Sequence, residues 1–304
     1  MIDGPRYFKT LAAIDGIVNG AMPEMMPLAK RLWPICRSIT GPGVRETLDI
    51  LSDVMPLQRH RVSSGSQCFD WTVPPEWTIR AAHIKGPDGR VLVNFKDNNL
   101  HVVSYSEPID KRMNLAELEP HLHSLKDYPE AIPYVASYYK RTWGFCISEE
   151  QHRSLFSSEG PYDVYIDSDL DEKGGLDYGQ GVIEGSCNQE ILFSTYICHP
   201  SMANNELSGP LITANIMSLL ARVPDLQYTY RCLFSTETIG TICFLSEHFE
   251  ELSPRIVAGY VVSCVGDDGP YNYVRSMRED CLAGHAAEHV LRHLAPIIHD
   301  SHRI

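Results

Sequence analysis

Three apolar runs in the second half of the chain end in polar residues whose types could do chemistry together. The run Ile191 to Ile197 ends in Cys198 and His199, and a polar turn then leads to Asn204 and Asn205. The run Tyr228 to Phe234 is followed by Glu237, and the run Ile256 to Val265 by Asp267 and Asp268. A histidine with neighbouring carboxylates outlines a zinc shell, and a further carboxylate could take a proton from metal-bound water. Each residue also has a plainer reading. His199 suits a hydrogen-bonded strand end, and Glu237 the first turn of a helix, where it favours the dipole. Asn205 suits a helix N-cap, and the two aspartates sit in an ordinary turn composition. For these last three the structural reading is the stronger one. Ser208 and Gly209 read as helix-entry residues, and no Gly-x-Ser-x-Gly turn marks Ser208 as a nucleophile. Cys198 and His199 are adjacent strand residues that point to opposite faces, which argues against a Cys–His pair.

The elements needed to bring these residues together are legible as patterns. Strands are expected at Tyr162–Asp167, Gly181–Gly185, Ile191–Ile197, Tyr228–Phe234 and Ile256–Val265. Helices are expected at Leu207–Leu220, Ile239–Phe249 and Cys281–Ala295. Strands alternating with helices predict an α/β fold, a mostly parallel mixed sheet sandwiched by helices, whose carboxyl edge carries the polar residues. Upstream, residues 8–57 read as helical, with Leu28, Leu32, Ile35 and Ile39 at helical spacing and a break at Gly41-Pro42-Gly43. Short alternating segments follow at Cys68–Val73, Ile79–Ile84, Arg90–Phe95 and Leu100–Tyr105, with Pro87-Asp88-Gly89 as a turn. They predict a small β-rich domain. Short helices are expected at Leu115–Leu125 and Glu149–Phe156. The domain reading is a core of residues 1–60 and 130–304, incomplete at its C-terminus, with residues 61–129 inserted.

Composition bounds the function. The 304 residues are 43% hydrophobic and 21% charged, enough for a sizeable core. A formal charge of −13 argues against a nucleic-acid surface, which needs a basic face. Nine scattered cysteines without a CxxC pair fit a reducing cytoplasm. No basic leader followed by an apolar stretch opens the chain, and no apolar run approaches the ~18 residues that cross a membrane. The expected location is cytoplasmic, without membrane contact.

Several motifs in order carry a resemblance. Ser38-Ile-Thr-Gly41, Phe69-Asp-Trp-Thr-Val-Pro74, Glu76-Trp77, Tyr138-Tyr139, Trp143-Gly-Phe-Cys146, Cys198-His-Pro-Ser201 and Thr238-Ile-Gly240 resemble a bacterial family of aminopeptidase-like proteins associated with polysaccharide biosynthesis. Gly181-Val-Ile-Glu-Gly185, Ala203-Asn-Asn-Glu-Leu-Ser-Gly209 and Glu237 are similar to the zinc aminopeptidase superfamily with paired metals. The resemblance spans residues 24–280. It implies a zinc-peptidase-like core with His199 as a metal ligand and Glu237 as the general base. Asn205 stands where the paired-metal enzymes have a bridging carboxylate, and Thr238 where they have a second carboxylate ligand. Ser263 or Cys264 occupies the region of the late aspartate ligand. An amide cannot bridge two cations as a carboxylate does, so one zinc, or none, is expected, with Asn205 orienting the site or contacting substrate. The last histidine ligand of the superfamily belongs to a segment beyond Ile304.

The implied function is hydrolysis of an amide bond, in a peptide or an amide-bearing small substrate, by metal-activated water. The alternatives are a non-catalytic peptidase-like binding module and an amino-sugar deacylase. Two further features are weighed. His285-Ala-Ala-Glu-His289 matches a zinc-peptidase pattern, with His293 on the same helical face. The tail from Leu294 carries no glutamate for that class, so an amphipathic helix with Leu282, Val290, Leu291 and Leu294 packed inward is the preferred reading. Trp71, Trp77, Pro74 and Pro75 suit an aromatic platform or, preferably, the core of the β module.

Overall fold

The protein is described here by a computed structural model covering residues 25–156, 159–278, 280–294 and 298–301. The helical expectation for residues 8–24 lies outside the described residues. Helix α1 occupies residues 25–32 and stops before Trp33-Pro34. A residue preceding proline is pushed out of the helical region, so the chain leaves the helix there. Ile35 and Ile39 are therefore not helical as the spacing predicted, although both are buried. Helix α2 (Pro42–Ser52) then starts with proline in its first turn and buries Val44, Leu48 and Leu51.

The core is a five-stranded mixed sheet. Its strands are β1 (Gln58–Ser63), β6 (Gly175–Ile183), β7 (Glu190–Tyr196), β8 (Thr229–Ser235) and β9 (Ile256–Val261), in the order β1-β6-β8-β7-β9. Strands β8, β7 and β9 are mutually parallel, whereas β6 runs antiparallel to both β1 and β8. The three parallel strands end at one edge, as the sequence pattern required. Helix α4 (Ser208–Leu220) connects β7 to β8, and α5 (Ile239–Leu252) connects β8 to β9. Central strand β8 is buried on both sides, and its alternation sorts the two cores. Cys232 and Phe234 face one cluster with Leu48, Leu211 and Met217, while Leu233 faces the other with Cys243, Phe244 and Leu252. Ile197 and Cys198 divide in the same way.

A second sheet, antiparallel throughout, has the order β3-β2-β5-β4: β2 (Glu76–Lys85), β3 (Val91–Asn94), β4 (Ile109–Met113) and β5 (Tyr162–Asp171). Its third strand thus comes from chain beyond residue 129. The expected strand at Cys68–Val73 is instead a hairpin pairing Gln67–Cys68 with Trp71–Thr72, because the chain reverses at Phe69 with φ +52°. The expected strand at Leu100–Tyr105 is a 3-10 turn, Asn99–His101, followed by isolated bridges to Phe145 and Ala136. Asn98 accepts from the Leu100 N–H, and that local bond favours the turn over a ladder. Helix α3 (Glu149–Leu155) begins with a Ser148–Gln151 capping box. The expected helix at Leu115–Leu125 is shorter, Leu115–Leu118, running into a 3-10 turn at the proline of Glu119–His121.

The two sheets are joined by a part-buried pair of ionic contacts, and the second sheet is held further by buried hydrogen bonds of Trp77. Arg45 reaches both Asp177 (3.0 Å) and Glu76 (2.8 Å). The Trp77 N–H donates to Thr40 (3.0 Å), and its indole N–H to the Ser106 carbonyl (3.0 Å). Trp77 is core, as expected.

One glycine sets how closely α4 approaches the sheet edge. A Cβ on Gly209 would overlap the Val262 carbonyl oxygen and Thr195 Oγ1. Gly209→Ala should therefore cost about 1–3 kcal/mol, as overpacking does, whereas an unconstrained helical Gly→Ala stabilises by ~0.5–1 kcal/mol. Urea unfolding reads the sign directly, and a midpoint unchanged or raised would show that no such contact exists.

Candidate active site

His199 leaves the end of β7 through a short loop, and its main chain is gripped from below. Arg37, 1% exposed, donates from Nε to the His199 carbonyl oxygen (3.1 Å) and from Nη1 to Leu32 O (2.8 Å). After Ser201 (φ +48°), residues Ala203–Leu207 form a single π-helical turn that runs into α4. That wide turn presents two consecutive residues to the imidazole. Asn205 Oδ1 lies 3.1 Å from His199 Nδ1, and Glu206 Oε1 lies 2.5 Å from the same nitrogen. The second Glu206 oxygen accepts the Cys198 N–H at 2.6 Å. Glu206 is 1% exposed and its charge also acts on the buried Arg37.

Glu237 arrives from β8. Its carbonyl accepts the Ile239 N–H at 2.6 Å, and Thr238 between them has φ +57° and ψ −73°. This is a γ-turn in its strained form, a conformation that costs free energy and is held by its surroundings. It leaves the Glu237 side chain half exposed, with Oε2 3.6 Å from His199 Nε2. The imidazole thus has a carboxylate on each nitrogen. Burial lowers the His199 pKa, but the hydrogen bond and charge of Glu206, followed by Asn205 and Glu237, outweigh it, so the pKa is held above its ordinary value.

Next to this pair is a cavity of about 310 Å³ lined by Trp71, Tyr138, Tyr139, Ile39 and Ile239, with His199, Glu237 and Thr238 at its polar end. The Tyr134 ring meets the His199 ring edge-on, with centroids 4.8 Å apart.

Donor geometry decides how far this arrangement suits zinc. A zinc-ligating histidine characteristically gives its second ring N–H to a carboxylate, and Glu206 on Nδ1 does so, leaving Nε2 towards Glu237. Glu237 Oε2, 3.6 Å from Nε2, would stand beside an ion held by that nitrogen, where a base for its water is needed. Among the described residues, Cys198, His199 and Glu237 form the single group of three close donors. Cys198 is a poor member. Burial, then the Glu206 charge, push its thiol well above the ordinary range, and its sulfur accepts the Glu237 N–H at 3.3 Å. With Glu237 kept as the base, the described residues offer zinc one imidazole, two short of the three protein ligands usual in a catalytic site.

The other sequence candidates fall into place around this centre. Asn205 is not an N-cap, because it lies inside the π turn; its amide N–H₂ faces Cys264 Sγ at 3.7 Å. Asp267 is a tie: its carboxylate accepts from Asn204 at 2.5 Å, while Asn204 Oδ1 accepts the Gly266 N–H at 2.8 Å. With Ser208 Oγ accepting the Val265 N–H (3.0 Å), these bonds lock the loop after β9 onto the turn that carries Glu206. Trp71 lines the cavity and also packs, partly buried, against the core cluster that contains Trp77. The histidines of α6 (Leu282–Leu294) are exposed, and Glu288 is engaged by Arg275 and Arg292. Leu282 and Val290 do not pack inward as expected, being 51% and 48% exposed, since the turn facing β9 carries Ala283 and Gly284. The side chain of Leu294 lies outside the described residues. Glu206 escaped the sequence reading. Its one signal was a carboxylate immediately before the apolar positions of a buried helix.

Comparisons with known proteins identify the family and the fold. A family described as a domain of unknown function, DUF4910, matches residues 26–300. A Clostridium acetobutylicum protein named for polysaccharide biosynthesis with an aminopeptidase-like domain is 45% identical over 270 residues, 89% of this chain. The chain spans 61% of that relative's length. A crystal structure from the same organism, named for a peptidase, superposes with a TM-score of 0.91 at 42% identity, covering 95% of this chain and 68% of the other. A zinc aminopeptidase from Bacillus subtilis (TM-score 0.61, 9% identity, 90% and 76% covered) and a peptidase M28 precursor from Shewanella amazonensis (0.56, 10%, 88% and 76%) share the fold. The architecture is a peptidase-like α/β fold.

The pairing of Glu206 with His199 has a pH signature. A histidine whose folded pKa is raised stabilises the fold fully below its unfolded pKa of about 6.5, and the contribution is lost as pH rises through the folded value. Glu206→Gln should lower the His199 midpoint seen by NMR and flatten that part of the stability–pH curve. An unchanged midpoint would show that the carboxylate does not act on the ring.

Proposed function

The chain belongs to the DUF4910 family, and from that premise we propose that it is an aminopeptidase-like hydrolase that cleaves an amide bond with the help of one zinc ion. The observation carrying this reading is the line Glu206–His199–Glu237 opening on an apolar cavity. A zinc ion, when bound, supplies a Lewis acid that polarises the amide carbonyl and makes a water acidic enough to attack it. His199 Nε2 would hold that ion, and Glu206 keeps the proton on Nδ1 so that the Nε2 lone pair stays available. The half-exposed Glu237 carboxylate takes the proton of the attacking water and returns it to the leaving amine. Asn205, fixed beside the imidazole, orients the polar end of the cavity.

The substrate is then a peptide or another amide-bearing molecule. The name of the Clostridium relative supports a place in polysaccharide assembly, which includes removal of an acyl group from an amino sugar as the same chemistry on another amide. The location proposed is cytoplasmic. All nine cysteines are free thiols, and no described helix is long and apolar enough to cross a membrane. A second reading rests on Asn205 and Thr238, a neutral amide and a hydroxyl where the resemblance places carboxylates. A site with so little negative charge could hold an amide ligand without cleaving it.

The protein saturated with zinc decides between them. Glu237→Gln should lower kcat by about 10²-fold or more while leaving the fold and zinc content intact, and His199→Ala should remove the zinc. Zinc content unchanged in His199→Ala, measured by elemental analysis, would discard the ligand role. Binding of amide ligands without turnover at any zinc concentration would establish the binding module.

A further inference from the structure

The wall of the cavity that faces the His199–Glu237 pair is not supplied by the peptidase-like sheet. It comes from the hairpin Gln67–Thr72 and from the segment around Tyr138 and Tyr139. The hairpin is pinned at one end, where Cys68, 2% exposed, packs in the cluster of Cys243 and Phe244. Cys68 pairs across the hairpin with Trp71, so the anchored residue fixes the placement of the indole. Tyr139 donates its hydroxyl to the Thr72 carbonyl (3.2 Å), and its ring lies 5.9 Å from that of Trp71 at 46°. The Tyr138 hydroxyl is bonded to that of Tyr134 at 2.6 Å. Both tyrosine hydroxyls are therefore engaged with protein, and what they turn to the cavity is ring surface. Ile39 and Ile239 close the remaining sides and are 3% and 5% exposed.

We propose that this hairpin wall is the specificity element of the site, with Trp71 and Tyr139 selecting a branched or aromatic hydrocarbon group next to the amide. The inference rests on the amide-directed reading of His199 and Glu237 given above. A cavity of about 310 Å³ admits one side chain of leucine or phenylalanine size beside the reacting group. Apolar walls of this kind discriminate by the hydrocarbon they bury, one methylene being worth roughly tenfold or more. A saccharide ring fits the chemistry less well. It brings several hydroxyl groups that each need a partner, and this wall offers few, since Tyr139 already gives its proton to Thr72 and Tyr138 is bonded to Tyr134.

Isothermal titration, which needs no turnover, separates this proposal from the hydrolytic one. The probes are L-leucinamide, L-phenylalaninamide, glycinamide and N-acetyl-D-glucosamine, each with and without zinc. The two apolar amides should bind at least about 10²-fold tighter than glycinamide. Trp71→Ala and Tyr139→Ala should each remove most of that preference, and Trp71→Phe should retain it, with circular dichroism confirming that the variants are folded. Equal binding of glycinamide, tightest binding of the saccharide, no binding of any probe, or a preference that survives both alanine changes would overturn the assignment. Preference without turnover leaves it standing and removes the hydrolase, and turnover without preference does the reverse.

Discussion

The contact between Glu206 and His199 is the constraint around which the rest is arranged. A carboxylate with 1% exposure is costly unless every oxygen has a partner. Here one oxygen takes the imidazole Nδ1 and the other the Cys198 N–H, and Arg37 adds a buried positive charge nearby. Satisfying that one group fixes the rotation of the imidazole, the path of the loop from β7 into the π turn, and the hold of Arg37 on the His199 carbonyl. The loop after β9 is then tied back to the same turn through Asn204, Ser208 and Asp267. Two strand ends, those of β7 and β9, are thereby locked around one buried charge.

Much of this was legible beforehand because hydrophobic periodicity reports burial. The run Ile191–Ile197 carries apolar residues on both faces, and Tyr228–Phe234 ends in three consecutive apolar residues, which identifies strands covered by helices on either side. Parallel strands in one sheet must end at one edge, so His199 and Glu237 could be brought together without knowing any distance. Where periodicity misled, local chemistry had overridden it. Pro34 ends a helix whose apolar spacing continues to Ile39, since burial of Ile35 and Ile39 does not require helical backbone. Asn98 turns an apparent strand into a 3-10 turn, and a left-handed Phe69 folds another into a hairpin.

The side chains of the site were less legible, because their roles depend on which way a turn faces. Trp71 and Trp77 are six residues apart in one aromatic, proline-rich stretch. One is a core residue bonded to Ser106, and the other lines the cavity. Composition cannot separate them; the reversal at Phe69 does. Asp267 read more readily as a turn residue than as a ligand, and it does accept the Gly269 N–H of its turn while its other oxygen ties the loop to Asn204.

The pair Asn205-Glu206 shows why a shift of one residue changes chemistry. In an α-helix, successive side chains diverge by about 100°, so only one of two neighbours could face His199. The π turn over Ala203–Leu207 is wider, and both do. The amide at 205 stands beside Cys264, where it contributes no charge to a cation. The carboxylate at 206 sits one position deeper, under Nδ1, and there it acts on the imidazole and not on whatever occupies the cavity. The negative charge of this turn thus lies on the buried side of the histidine. On the open side Glu237 is the carboxylate that lines the cavity, with Oε2 3.6 Å from Nε2, and the proposed chemistry depends on that gap.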